Sequence, residues 1–424
     1  MQDTPVRFYS FTLAVKRCNT PRITVCLALA TLVVACSPDA PVKPLASPAP
    51  PSLAKGGTSL NPATLTQGRE IFRYDTFGDE TYWTDTLLLH QAIAANVSPL
   101  TALSVGLKVD VDALPAALQQ AIAANQVPLD SPSTTISLIQ LNAVVGIKGE
   151  VSGGTLTRVG ITCALCHSTV DNSFAPGIGH RLDGWPNRDL NVGAIVSLSP
   201  SPVITDAQRA ILGSWGPGIY DPRINIDGID APVVIPGAFG LRHVALETYT
   251  GDGPISYWNA YVAITQMHGH GTFSDPRIGV TVSNPPDLVG PKLDALRAYQ
   301  LTLSAPAGLV TDRAAVQRGK DVFVGVAGCA NCHYGQALTD VNDGILHTPA
   351  QVGQDATYAN RTATKLYRST PLRGLWHPPQ LQGPYFHDGS APTLEAVVDH
   401  YSGVFGFTLT SQQRADLVTY LKTL

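Results

Sequence analysis

Charge is scarce in this 424-residue chain: Asp, Glu, Lys and Arg make up 14% of it, against 44% hydrophobic residues. That balance fits a chain that buries a core and excludes a solvated, disordered one. Methionine is nearly absent, with Met267 the only one after Met1, and no glutamate occurs from 248 to 394. A long membrane-crossing run is missing as well. The apolar stretch near the start, "ITVCLALATLVVA", has thirteen residues, where a spanning helix needs roughly 20. Cysteine is limited to seven residues, and three of them lie within the first 36 positions.

The N-terminus carries Arg7, Lys16, Arg17 and Arg22 ahead of that apolar run and only one acid, Asp3. A basic segment followed by a short apolar one reads as a secretory signal. Its end, "VVAC", resembles a bacterial lipobox, in which cleavage before Cys36 leaves that residue lipidated. The competing reading is an ordinary signal cut elsewhere. With Ser37 rather than Asp after the cysteine, the pattern implies a periplasmic, lipid-anchored protein at the outer membrane. Residues 1–35 are thus expected to be a lipoprotein signal peptide and 36–57, rich in Pro and Ala, a tether. After removal of four basic residues and one acid, residues 36–424 carry a formal charge of −7. Nothing in that balance suggests nucleic acid, and the membrane enters through the lipid anchor alone.

Four cysteines then remain, in two Cys-x-x-Cys pairs each followed by histidine: "CALCH" (Cys163, Cys166, His167) and "CANCH" (Cys329, Cys332, His333). This is the c-type haem attachment pattern. Two thiols at this spacing reach the two vinyl groups of one porphyrin, and the adjacent histidine is held under the iron. A zinc ribbon would set its two pairs roughly 15–20 residues apart, whereas more than 160 separate these. A redox disulfide would not require a histidine after each pair. Two covalent c-type haems are the expected cofactors.

A short repeat points the same way. "QGREIF" (67–72) and "RGKDVF" (318–323) share Gly, basic, acidic, aliphatic and Phe positions, and the second lies just before "GCANCH". The expected fold is mainly α: two cytochrome c-like haem domains with long loop-rich insertions. An N-terminal haem domain would cover 58–305 and a C-terminal one 306–424. About 90 residues separate "QGREIF" from "CALCH", so an insertion intervenes there, read as turn and amphipathic helix without chemistry. Residues 200–240 read as a surface excursion, 291–303 as a helix and 304–312 as a link. At the C-terminus Thr410 or Ser411 should cap a helix, with Ala415, Val418 and Leu421 as its apolar stripe.

From these motifs the chain resembles the bacterial di-haem cytochrome c peroxidase superfamily over roughly residues 150–424. The carrying segments are "PYFHDGS" and "TLE" within 370–401, and "GIGHRLDGWPN" at 177–187. The resemblance is closer in detail to the rubber-oxygenase-like di-haem c-type cytochromes, through the pair Tyr257 and Trp258 and through Phe273. That similarity implies Trp258 as a bridge between haems, with Trp185 the alternative and plain packing the bland one. It implies Phe273 on the distal face of the first haem. For the second haem the peroxidases place a methionine shortly after "TLE". Here Tyr401 stands at that position with His400 beside it. A tyrosine ligand occurs in the related enzyme that matures the tryptophan tryptophylquinone cofactor, whereas His400 would give the bis-histidine iron of the oxygenases. His180 stands near the family's removable distal histidine and either caps the first haem or leaves it open. Asn187 aligns with a calcium-binding residue of the family, so calcium is a candidate further cofactor, against an ordinary loop asparagine.

Peroxidatic cleavage needs a distal base, worth about 10²–10⁴ in rate, and the family uses a glutamate between the haem motifs. Asp252, Asp275 and Gln266 are what this chain offers instead. An apolar distal wall suits dioxygen better than fast peroxide turnover. "QMHGHGTF" (266–273) therefore reads as a wall of the first haem's pocket, with Met267, His268 and His270 not expected as permanent iron ligands. The expected activity is an oxygenase- or peroxidase-like oxidoreductase, its N-terminal haem the reactive centre and its C-terminal haem the relay. A small redox protein and a small oxidant would be its partners. The alternative is a lipid-anchored electron-transfer cytochrome without catalytic activity.

Overall fold

The computed structural model describes residues 61–424; the signal segment, Cys36 and the tether lie outside them. Helices are the main regular element, joined by five two-stranded ribbons that the apolar periodicity did not signal. Eight helices and four strands position the sites: α1 Pro62–Tyr74, α2 Leu89–Asn96, α3 Asp206–Trp215, α4 Ile255–Thr265, α5 Leu293–Gln300, α6 Arg313–Val324, α7 Leu394–Phe405 and α8 Ser411–Leu421. β1 (Ile147–Ser152) and β2 (Thr155–Ile161) form a hairpin ahead of the first Cys-x-x-Cys-His motif, and β3 (Gly271–Asp275) pairs antiparallel with β4 (Val280–Asn284).

The two repeats mark two helix crossings. α1 starts at Asn61, whose side-chain oxygen accepts from the Thr64 amide, with Pro62 in the first turn. It packs on α5 at Gly68, where an added Cβ would run into the Ala295 carbonyl. α6 packs on α8 at Gly319, where a Cβ would meet the Asp416 carbonyl. The glycine shared by "QGREIF" and "RGKDVF" is thus the residue that lets two backbones touch. Phe72 and Phe323, the shared phenylalanines, are both buried, and each packs edge-on against a tyrosine of the crossing helix, Tyr299 and Tyr420.

α8 opens with a capping box of Thr410 and Gln413, as the sequence indicates. Its buried face runs through Leu417, Val418 and Leu421, while Ala415 is exposed. The stripe is shifted because Asp416 is drawn inward by the Arg318 guanidinium at 2.7 and 2.8 Å. Residues 200–240 also depart from expectation. They hold the capped helix α3, and Tyr220, Ile235 and Pro236 border the main cavity. Pro and Gly are frequent there because the chain turns repeatedly beneath that cavity, not because it lies outside the body.

Replacing Gly319 by Ala should force α6 and α8 apart and cost about 1–3 kcal/mol, the usual range for overpacking. Urea denaturation of the haem-loaded protein checks this, with Gly213→Ala, at a glycine whose Cβ meets nothing within 4 Å, as the tolerant control.

Candidate functional site

β2 ends at Ile161 and feeds directly into Cys163 and the helical turn Ala164–His167. Three backbone anchors fix that turn. The Thr162 amide donates to Gly146 O, its hydroxyl to Arg73 O, and the Asn187 amide to Cys166 O. The His167 Nδ1 lies 3.1 Å from the Pro236 carbonyl. A carbonyl can only accept, so Nδ1 carries the proton and Nε2 keeps its lone pair. Burial pulls the imidazole down to about 4, which keeps it neutral and able to ligate. Cys163 and Cys166 are free, and burial pushes both thiols up to about 12.

All three side chains border a cavity of about 400 Å³, inside the range of cofactor pockets. Its lining is predominantly apolar, from α2, the β1–β2 hairpin, residues 192–241 and α4. Two thiols, a neutral imidazole with a free Nε2 and apolar walls fit a covalently held porphyrin. Cys163 and Cys166 would hold its vinyl groups and His167 its iron.

The second motif repeats the arrangement. Gly328 takes a left-handed conformation (φ +62) to start the turn Cys329–Asn331. His333 Nδ1 lies 3.1 Å from the Leu338 carbonyl, which again frees Nε2, and burial lowers this imidazole too. Cys329 and Cys332 are free and half-buried. The donor set therefore suits a second porphyrin.

α7 distinguishes the two candidate ligands after "TLE". Its inward face runs through Leu394, Val398 and Tyr401, spaced i, i+4, i+7. Burial raises the Tyr401 hydroxyl to about 12, and the neighbouring Cys332 and Cys329 sulfurs add to that shift. Tyr401 is thus within electrostatic reach of the second motif. His400 turns instead to the loop before Gly353, with Nε2 3.0 Å from Val352 O and 3.3 Å from Gln354 Nε2.

Other expected site residues separate into those on the cavity and those off it. Trp258 and Gln266 line it, on the α4 face that also carries Val262. Trp258 stacks on Tyr261 with centroids 5.1 Å apart, and the Arg223 guanidinium lies over both rings and over Tyr358 of the C-terminal part. Gln266 is fixed by the Tyr220 hydroxyl and by Asn225. Phe273 does not border the cavity. It packs edge-on against Tyr257 and Tyr261, on an α4 face turned away from the lining. Helical phase explains the correction: Tyr257 and Tyr261 stand one residue off the cavity-facing series 258, 262, 266. His180 is also elsewhere, its side chain 59% exposed and 2.9 Å from the Asp112 carboxylate. Trp185 packs edge-on against His377 and Phe239. Asn187 spends its amide nitrogen on Gly106 O and Leu165 O, which leaves Oδ1 without a partner. One amide oxygen falls well short of the six to eight that calcium takes.

Two groups escaped the sequence reading, Tyr82 and the Asp340–His347 pair with Ser369. Tyr82, from a π-helical turn at Thr81–Thr86, stacks on His268 at 3.5 Å, and both border the cavity. Burial pulls His268 down to about 4. The positive φ of His268 (63°) was the available signal, hinted at by its glycine neighbours. Met267 is buried and its carbonyl accepts from Trp83 Nε1, while His270 is bonded to Pro285 O at the surface. Beside the second motif, Asp340 accepts from His347 and Ser369, with Cys332 close by.

Known proteins match parts of this chain. Residues 316–424 match the cytochrome c family and form a cytochrome c domain. The chain is related to the methylamine utilization protein MauG of Methylorubrum extorquens, 33% identical over 125 residues, 26% of this chain and 34% of that protein. It spans about a third of that relative's length. Among solved structures, a hydrazine synthase of Kuenenia stuttgartiensis superposes with a TM-score of 0.35 at 18% identity, covering 49% of this chain and 76% of the other. A MauG-like protein associated with microbial copper homeostasis gives 0.32 at 19%, covering 46% and 74%.

Truncating Phe273 to Ala should cost about 3–5 kcal/mol of stability, as for other buried aromatics, and leave the haem spectra nearly unchanged. Thermal denaturation beside absorption spectra of the same preparation separates the two effects.

Proposed function

We propose that this chain, a MauG relative with a cytochrome c domain at 316–424, is an exported di-haem c-type oxidoreductase. Its His167 centre meets dioxygen or peroxide, and its His333 centre relays electrons. The observation that carries the reading is the inequality of the two motifs. Cys163, Cys166 and His167 open on a cavity of about 400 Å³, whereas Tyr401 lies within electrostatic reach of the sulfurs of the second motif. Tyr401 rather than His400 would then join His333 in holding the iron of the second centre, because the His400 Nε2 is already engaged by the Val352–Gln354 loop.

A haem iron at the first centre supplies the site for the oxidant and the exchange of electrons with it. The residues around it do the rest. Pro236 orients His167 through Nδ1. Gln266 is held by Tyr220 and Asn225 and presents a fixed amide to the cavity. His268 is the wall residue able to take a proton, and its low basicity makes it a weak base. Glu247 borders the cavity too, yet its carboxylate accepts from the Ile255 amide and from Arg297. A free carboxylate base is therefore lacking among the described lining residues, which favours slow, apolar-site oxidation over fast peroxide turnover. Trp258 lies on the cavity wall and shares the Arg223 guanidinium with Tyr358, so it is the proposed bridge. Cys36 would carry the lipid, the protein would face the periplasm, and a small redox protein would exchange electrons at the second centre. One observation favours the simpler electron-carrier reading: His268 puts a second imidazole on the cavity wall.

Electron paramagnetic resonance of the ferric protein separates the readings. One high-spin, carbon monoxide-reactive haem and one low-spin haem are expected; two low-spin haems inert to peroxide, cyanide and carbon monoxide would overturn the enzyme. Tyr401→Phe should convert the low-spin signal to a high-spin one, and His400→Gln should leave it in place.

A further inference from the structure

Two half-buried arginines lack a carboxylate partner among the described residues. Arg181, Arg223, Arg277 and Arg361 are each matched to an aspartate, at 2.9, 3.5, 2.7 and 3.0 Å. Arg188 and Arg368 have no carboxylate partner among the described residues. Arg188 makes one long bond, Nη1 to Pro384 O at 3.4 Å, and its buried Nε has no partner. Arg368 is wrapped by carbonyls alone: Thr248 O at 2.6 Å, Glu247 O at 3.2 Å and Ser369 O at 3.4 Å. Burial lowers both guanidinium groups, Arg368 to about 10.

Arg368 is tied to Tyr249, whose carbonyl accepts from the Arg368 amide at 3.0 Å. Both act electrostatically on the buried Tyr249 hydroxyl, whose own bond to Val234 O is long at 3.5 Å. Arg188 follows Asn187, the residue tied to the Cys166 carbonyl. Arg368 comes from the C-terminal part and borders the main cavity together with Tyr249; it is the only lysine or arginine among the lining residues. Two half-buried cations with unused donors call for an anion to join them. The carboxylate nearest to hand, Glu247, is already held by Arg297.

We infer that Arg368, supported by Arg188 and Tyr249, is the binding site for a propionate carboxylate of the haem attached at Cys163 and Cys166. This rests on the reading of that motif as a haem site and adds what orients the group. Arg368 would hold the group from the side of the C-terminal part, and its positive charge would hold the reduction potential of a haem there up by disfavouring the ferric state. A guanidinium offers paired donors to a carboxylate, which an ammonium at the same place supplies only in part.

The test uses the haem-loaded full chain with Arg368→Gln, Arg368→Lys and Arg188→Gln. Peptide mass spectrometry first establishes haem on the Cys163–His167 peptide of the unaltered chain; its absence would sink the haem reading itself. Spectroelectrochemical titration and the propionate bending band in resonance Raman spectra then read the inference. The expected result is a lower midpoint potential of the first haem in Arg368→Gln, a smaller fall in Arg188→Gln, partial recovery in Arg368→Lys and a shifted propionate band. Haem present with potential and band unchanged in Arg368→Gln would overturn it. If that variant fails to fold, an unchanged potential and band in both Arg188→Gln and Arg368→Lys overturns it equally.

Discussion

An imidazole offers Nε2 to a metal in the tautomer that keeps its proton on Nδ1, and a backbone carbonyl selects and orients that tautomer at both centres. His167 donates through Nδ1 to Pro236 O and His333 to Leu338 O, each at 3.1 Å. The two acceptors differ greatly in origin. Leu338 lies five residues beyond its histidine, so the second motif is oriented almost within its own turn. Pro236 lies 69 residues beyond His167. The whole stretch from 190 to 240, with its helix and repeated turns, must be in place before the first imidazole is fixed. A local device serves one centre and a long-range one the other, and the long-range one encloses a cavity as it closes.

The parts of the fold visible in the sequence are those set by short-range chemistry. The two motifs, the capping box at Thr410 and the paired glycines of "QGREIF" and "RGKDVF" each express a contact between near neighbours or one close backbone approach. The role of the glycines was visible only as a repeat. Why both had to be glycine appears once Ala295 and Asp416 stand opposite them. Residues 200–240 misled because their Pro and Gly content is shared by surface loops and by chain that turns beneath a cofactor pocket. Composition does not separate the two.

Helical phase decided two assignments in which neighbouring residues competed. On α7, Tyr401 continues the Leu394 and Val398 face while His400 points to the 350–354 loop. On α4, Trp258, Val262 and Gln266 share the cavity face, and Tyr257 and Tyr261 carry Phe273 on another. The rotation between adjacent helical residues, about 100°, is enough to move a side chain from a metal site to a packing role. A family resemblance carries position along the chain more faithfully than it carries this angle. That is why Phe273 fits the pattern of a distal residue and yet packs away from the cavity.

The two motifs share a grammar of five residues and differ in everything that tunes it. Around the first, apolar walls, a neutral His268 and a fixed Gln266 amide leave little that could quickly deliver or take a proton. Around the second, Tyr401 and the Asp340–His347 pair supply acceptors close to the sulfurs. Buried charge is placed with the same asymmetry. Arg223 lies over Trp258 and Tyr358, and Arg368 reaches the cavity from the C-terminal side, so positive charge gathers where the two halves of the chain meet. In this fold the surroundings of the first motif are thus set as much by residues beyond 240 as by the motif itself.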